Sequence, residues 1–92
     1  MTTAHHTSID APELAELIAA GYRETLADAT LDTTSDFFEA GGDSLAAFQI
    51  IARVQDALGT EVPVALIFTY PTPADLAEVL AADLADRAAD QA

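Results

Sequence analysis

Serine is a weak nucleophile unless a neighbouring base or a second protein activates it, so Ser44 is best read from what surrounds it. The segment Asp36-Phe37-Phe38-Glu39-Ala40-Gly41-Gly42-Asp43-Ser44-Leu45 brings two glycines, an acid and a serine to the start of an apolar-periodic run. The glycines let the backbone turn sharply and leave room for another molecule to approach. Asp43 and Ser44 then open a helix, so the Ser44 hydroxyl projects from the end that carries positive partial charge and unpaired N–H groups. A phosphate attached there is favourably placed. On its own the run also fits an ordinary turn and helix cap. Other reactive groups are few. The chain contains no cysteine, which removes thiol nucleophiles, disulfides and zinc thiolate sites together. His5 and His6 lack a third ligand, and Asp28, Asp32 and Asp36 lack the alternating ligands and central glycine of calcium loops. No metal site and no catalytic residue is expected.

The elements that must position Ser44 are helices. Asp10-Ala11-Pro12-Glu13 offers a capping acceptor, an early proline and an acid three residues on. Leu14, Leu17, Ile18, Tyr22, Thr25 and Leu26 follow at spacings of three and four, which predicts a first helix to about Ala27. From Asp28 to Asp43 no period is sustained, so a long loop is predicted, with Leu31, Phe37 and Phe38 buried as its anchors. The second helix is predicted from Ser44 to just before Gly59, a residue suited to a left-handed cap. Its core face is Ala47, Ile50, Ile51, Val54 and Leu58. Leu45, Phe48 and Ala52 form a second apolar row, either more core or a docking patch. Val62–Tyr70 has no second strand to pair with and is expected to hold a short helix from about Val64 to Thr69. Thr72-Pro73-Ala74-Asp75 repeats the helix-start chemistry, and Leu76, Val79, Leu80 and Leu84 give the last stripe. Residues 1–9 are expected to be a flexible N-terminus, 10–87 the domain and 88–92 a frayed end.

Composition limits what such a bundle can do. The chain has 92 residues, enough for one domain and too few to shield a deep catalytic cleft. Hydrophobic residues make up 51%, but 21 of them are alanine, which suits a compact helical bundle. Sixteen acids face three arginines and no lysine, for a net charge of -13. Such a surface repels nucleic acid and anionic membranes, and basic protein partners are favoured instead. The first residues have neither the basic start nor the apolar run of a signal peptide, so a cytoplasmic location is expected.

From about Leu14 to Leu84, the order DFFEAGGDSL, capped helix, VPVALIFTYPTPADLAEVL resembles the peptidyl carrier (thiolation) domains of nonribosomal peptide synthetases. The resemblance implies an all-α fold: a four-helix bundle with a long loop between helices 1 and 2 and a short third helix. It implies that Ser44 receives 4′-phosphopantetheine from coenzyme A, with Gly42 and Asp43 as the cofactor-binding residues beside it. A separate phosphopantetheinyl transferase would supply the magnesium and the base. The arm would then hold an aminoacyl or related acyl group as a thioester, loaded by an adenylation enzyme and passed to condensation or tailoring enzymes. The same resemblance maps Leu45, Phe48 and Ala52 onto partner-docking positions, and adds Ile67, Phe68 and the loop from Phe38 to Asp43 as further contacts.

Fatty-acid and many polyketide carriers resemble the same fold but usually carry several acids along the second helix. Here SLAAFQIIARVQDALG has only Asp56, opposed by Arg53, which favours the peptidyl type over the acyl carrier alternative. The letters Gly42-Asp43-Ser44-Leu45 also match a class of serine hydrolase, whose base histidine lies far downstream of the serine. Both histidines here lie upstream. A noncatalytic helical adaptor would explain the bundle, yet leaves Gly41 to Ser44 without a role. A free-standing, monomeric carrier is the resulting expectation.

Overall fold

The computed structural model describes the backbone of residues 10–91 and the side chains of residues 10–86; the expected N-terminal segment 1–9 lies outside them. The described chain folds as four helices: α1 (Ala11–Thr25), α2 (Ser44–Leu58), α3 (Ala65–Thr69) and α4 (Pro73–Gln91). No strand occurs among the described residues, and none of their helices is long and apolar enough to cross a membrane. α4 continues to Gln91, past the Arg87 at which the sequence reading ends the domain.

Helix α1 packs chiefly on α4 and then on α2. Leu14, Ile18 and Tyr22 of α1, Ala47, Ile50, Ile51 and Val54 of α2, and Leu76, Ala77 and Leu80 of α4 share one buried cluster with Leu31, Phe37, Val62 and Ile67. On α1, α2 and α4 these are the predicted stripes, joined by Ala77, with Leu17, Leu26 and Leu58 half-buried at their edges. Val79 and Leu84 are also only half-buried, so the inner face of α4 is narrower than its apolar pattern. Each large side chain removed from water contributes about 1.5–3 kcal/mol, and this seam is what holds so short a chain together.

Local chemistry sets the helix ends, though not always as expected. Gly59 closes α2 at φ 68°, the predicted left-handed cap. Thr72 Oγ1 accepts the Asp75 amide at 3.2 Å and caps α4. Asp10 occupies the N-cap of α1 but its side chain caps nothing; its backbone carbonyl accepts the Leu14 amide instead. The end of α1 is a Schellman motif, with the Asp28 amide bonded to the Arg23 carbonyl at 3.0 Å and Ala27 in the left-handed region at φ 56°. Alanine is an uncommon choice there, because its Cβ crowds the backbone.

The long loop is built from three aspartate turns. Asp28 accepts from the amide and hydroxyl of Thr30, Asp32 from those of Thr34, and Asp36 from the amides of Phe38 and Glu39. Hydrogen bonds from the threonines, the side-chain bond foremost, hold the Asp28 and Asp32 carboxyls below the usual carboxylate range. Arg23 fastens the loop to α1, donating to the Leu31 carbonyl at 3.0 Å while pairing with Glu16.

Candidate functional site

The turn before Ser44 is a single helical coil with its own caps. Asp36 accepts at the start, the Ala40 amide bonds back to the Asp36 carbonyl at 2.9 Å, and the Gly41 and Gly42 amides return to Phe38 and Phe37 at 3.1 and 2.9 Å. This is a second Schellman closure, and it needs a left-handed residue: Gly41, at φ 89°. Gly42 is demanded by packing instead. A Cβ there would lie 2.6 Å from Phe37 Cδ1 and closer still to Cε1 and Cζ, so only a glycine lets the chain pass over that ring.

Beyond the turn, Asp43 takes extended backbone geometry and its carboxylate accepts the Ala46 amide at 2.9 Å, a regular side-chain cap. Ser44 is the first residue of α2 and is exposed. Asp43 occupies the Ala46 amide, while the amides of Ser44 and Leu45 have no acceptor within the helix. A phosphodiester on the Ser44 hydroxyl therefore meets donors and the positive end of the helix, with no side chain built over it. The residues present fit a covalently attached phosphopantetheine. Among the described residues, no three histidines, cysteines or carboxylates come together as a metal site.

Around the serine the surface is apolar. Leu45 is 66% exposed and Phe48 60%, and Ala52 is exposed with them on the same row of α2. That row is surface rather than additional core. Phe68 of α3 is 39% exposed and Phe38 of the loop 53%; their rings stack at 6.0 Å. Two expectations are corrected here. Phe38 does not anchor the loop; Leu31 and Phe37 do, Phe37 fully buried and edge-on to Tyr22, Phe38 and Phe68 at 5.9, 5.6 and 6.1 Å. Ile67 cannot meet a partner, because α3 turns it wholly into the core while its neighbour Phe68 points outward. Arg53, the basic residue of α2, pairs with Glu24 of α1 at 2.7 Å.

Tyr22, expected only as part of the apolar stripe of the first helix, sits under this surface. The buried Tyr22 donates its hydroxyl to the Pro71 carbonyl at 2.6 Å, and burial, with the nearby Asp36 charge, pushes its pKa well up, so it stays a donor. The contact spans 49 residues and leaves no local sequence signal.

Residues 13–80 match the family model described as a phosphopantetheine attachment site. The chain therefore belongs to the phosphopantetheine attachment family, carrier proteins that hold the cofactor covalently. The proteins it is similar to include nonribosomal peptide synthetases and carrier proteins of secondary metabolism. It is 40% identical over 75 residues to the probable non-canonical nonribosomal peptide synthetase CymA of Salinispora arenicola, covering 82% of this chain but 1% of that protein. The structure of BlmI, a type-II acyl-carrier protein of Streptomyces verticillus involved in bleomycin biosynthesis, matches with a TM-score of 0.77 at 28% identity, covering 80% of this chain and 89% of that one. A free-standing peptidyl carrier protein from an Acinetobacter baumannii secondary metabolic pathway matches at 0.75 and 26% identity, covering 82% and 96%.

Proposed function

We propose that Ser44 carries the 4′-phosphopantetheine arm, and that the chain presents an aminoacyl or related acyl thioester on it to the enzymes of a nonribosomal peptide or related pathway. One observation carries the assignment: Ser44 is an exposed hydroxyl at the first position of α2, behind a capped glycine turn and inside the matched segment. Among the described residues there is no histidine or lysine to serve as its base, and the neighbouring Asp43 carboxylate is engaged as the helix cap, so a separate phosphopantetheinyl transferase does the chemistry. The serine oxygen bonds to the phosphorus that bears the pantetheine, the pyrophosphate bond of coenzyme A breaks, the adenosine bisphosphate leaves, and the transferase's base takes the hydroxyl proton. An adenylation enzyme then loads the thiol, and condensation or tailoring enzymes consume the thioester.

Leu45, Phe48, Ala52, Phe68 and Phe38 form the docking face, chiefly by apolar contact, while the acidic remainder of the molecule steers approach. A free-standing cytoplasmic monomer is the form that suits this role. Intact-mass analysis after incubation with coenzyme A, magnesium and a broad-specificity transferase tests the assignment. The wild type should gain the mass of one arm and Ser44→Ala should gain none. A modified Ser44→Ala variant, or an unmodified wild type, would overturn it.

A further inference from the structure

One carbonyl ties three separated segments together. Pro71 lies between α3 and α4, and its oxygen accepts both the Tyr22 hydroxyl, at 2.6 Å, and the Phe37 amide, at 2.8 Å. Two donors fill the two lone pairs of a peptide oxygen. From this node the path to the serine is short: the Phe37 carbonyl accepts the Gly42 amide at 2.9 Å, the Phe37 ring lies against the Gly42 α-carbon, and Asp43 and Ser44 follow. In the other direction the node fixes the chain leaving α3, whose Phe68 stacks on Phe38 and meets the edge of Phe37.

The Tyr22 side chain is fully buried and its hydroxyl has the Pro71 carbonyl as its partner, so Tyr22→Phe removes this bond while the Phe37 amide keeps its own to the same oxygen. The ring alone would satisfy the apolar packing. What the hydroxyl adds is direction: it locks the α3–α4 connection to α1 at the same atom that receives the loop.

We propose that Tyr22 is a positioning residue, whose hydroxyl holds the Ser44 turn and the α3–α4 connection in one register so that the serine and the Phe38–Phe68 pair reach a partner enzyme as one preformed surface. The proposal rests on Ser44 being the attachment point, and its test separates the two. The variant is Tyr22→Phe, which keeps the ring. Native-state hydrogen exchange on the unmodified protein should show the Phe37 and Gly42 amides exchanging roughly five- to tenfold faster, the effect of losing one hydrogen bond, with a smaller change at the Ile18 and Ile50 amides. In the transferase reaction KM should rise severalfold while kcat holds, because presentation and not chemistry is disturbed.

Ile18→Val, a core variant that leaves the node intact, supplies the control for stability alone. A uniform exchange change across all four amides in Tyr22→Phe, or the same KM rise in Ile18→Val, would mean that the hydroxyl only stabilises the fold and would overturn the proposal. Should Tyr22→Phe not fold, the wild type decides: the Phe37 and Gly42 amides must open together, with protection equal within about threefold, and clearly separate openings refute a single register. If the wild type takes no arm at all, the assignment of Ser44 fails, while the exchange result still decides the role of Tyr22.

Discussion

Gly42→Ala separates the two reasons a glycine can be required. Gly42 has no positive φ, so alanine brings no backbone strain there; it brings a methyl group into the face of Phe37. The ring cannot swing away cheaply. It is fully buried and makes edge contacts with Tyr22, Phe38 and Phe68, each worth about 0.5–1.5 kcal/mol beyond area burial. Backing the turn off the ring is the lesser cost, and overpacking of this kind runs to about 1–3 kcal/mol. Restricting the unfolded chain by replacing glycine returns about 0.4–1 kcal/mol. The net expectation is a loss of about 1–2 kcal/mol, or roughly 4–16 °C in Tm for a chain of this length. Urea unfolding followed by the helical circular dichroism signal measures it.

The cause is checked by a double-mutant cycle with Phe37→Leu, which shortens the side chain beneath the methyl. Part of the Gly42→Ala penalty should vanish in that background, giving a coupling of about 1 kcal/mol. Gly41→Ala is the contrast: its Cβ would meet nothing, but φ is 89°, so its cost of about 1–2 kcal/mol comes from the backbone and should be the same with Phe37 or Leu. A Gly42→Ala protein within about 0.5 kcal/mol of wild type, or one whose penalty is unchanged by Phe37→Leu, refutes the packing explanation for this glycine.

Three further outcomes are expected. Ala27→Gly should stabilise the fold by about 1 kcal/mol, since the Schellman position at φ 56° is left-handed; a lower urea midpoint would contradict that strain. The carboxyls of Asp28 and Asp32 have folded-state pKa values below their unfolded ones, so their contribution is fully present above about pH 4 and is lost as pH falls through the folded values. Urea midpoints should therefore hold steady from pH 7 to 5 and decline in acid, with a shallower decline in Asp32→Asn; an identical acid slope in that variant would remove Asp32 from the account. Phe48→Asp and Leu45→Asp should leave helicity and urea midpoint within about 0.5 kcal/mol of wild type while lowering turnover by partner enzymes, and unfolding by either substitution would return that row to the core.

What could be read from the sequence was chemistry carried by adjacent residues. Pro73 with Thr72, Gly59, and Asp43 with Ser44 mark helix ends because capping and left-handed geometry act within one turn, and the structure places those ends as expected. The wide seam of α2 was legible for the same reason: fifteen residues define a stripe. The failures have a common origin. A five-residue helix such as α3 gives no period from which to tell Ile67 from Phe68, and an irregular loop gives none to tell Phe37 from Phe38. In each pair one residue is driven inside and the other is left on the surface, and which one depends on packing against chain tens of residues away.

That dependence also explains why the apolar face beside Ser44 was only half visible. Leu45, Phe48 and Ala52 follow from helical spacing, but the stacked Phe38 and Phe68 exist as a pair only because Phe37 lies beneath both rings and its backbone is held on Pro71. The inward residue of one segment thus sets the outward residue of another. A substitution at Phe37 should accordingly disturb the exposed pair although neither of its two residues is changed, whereas a change at Phe48 should leave that pair in place.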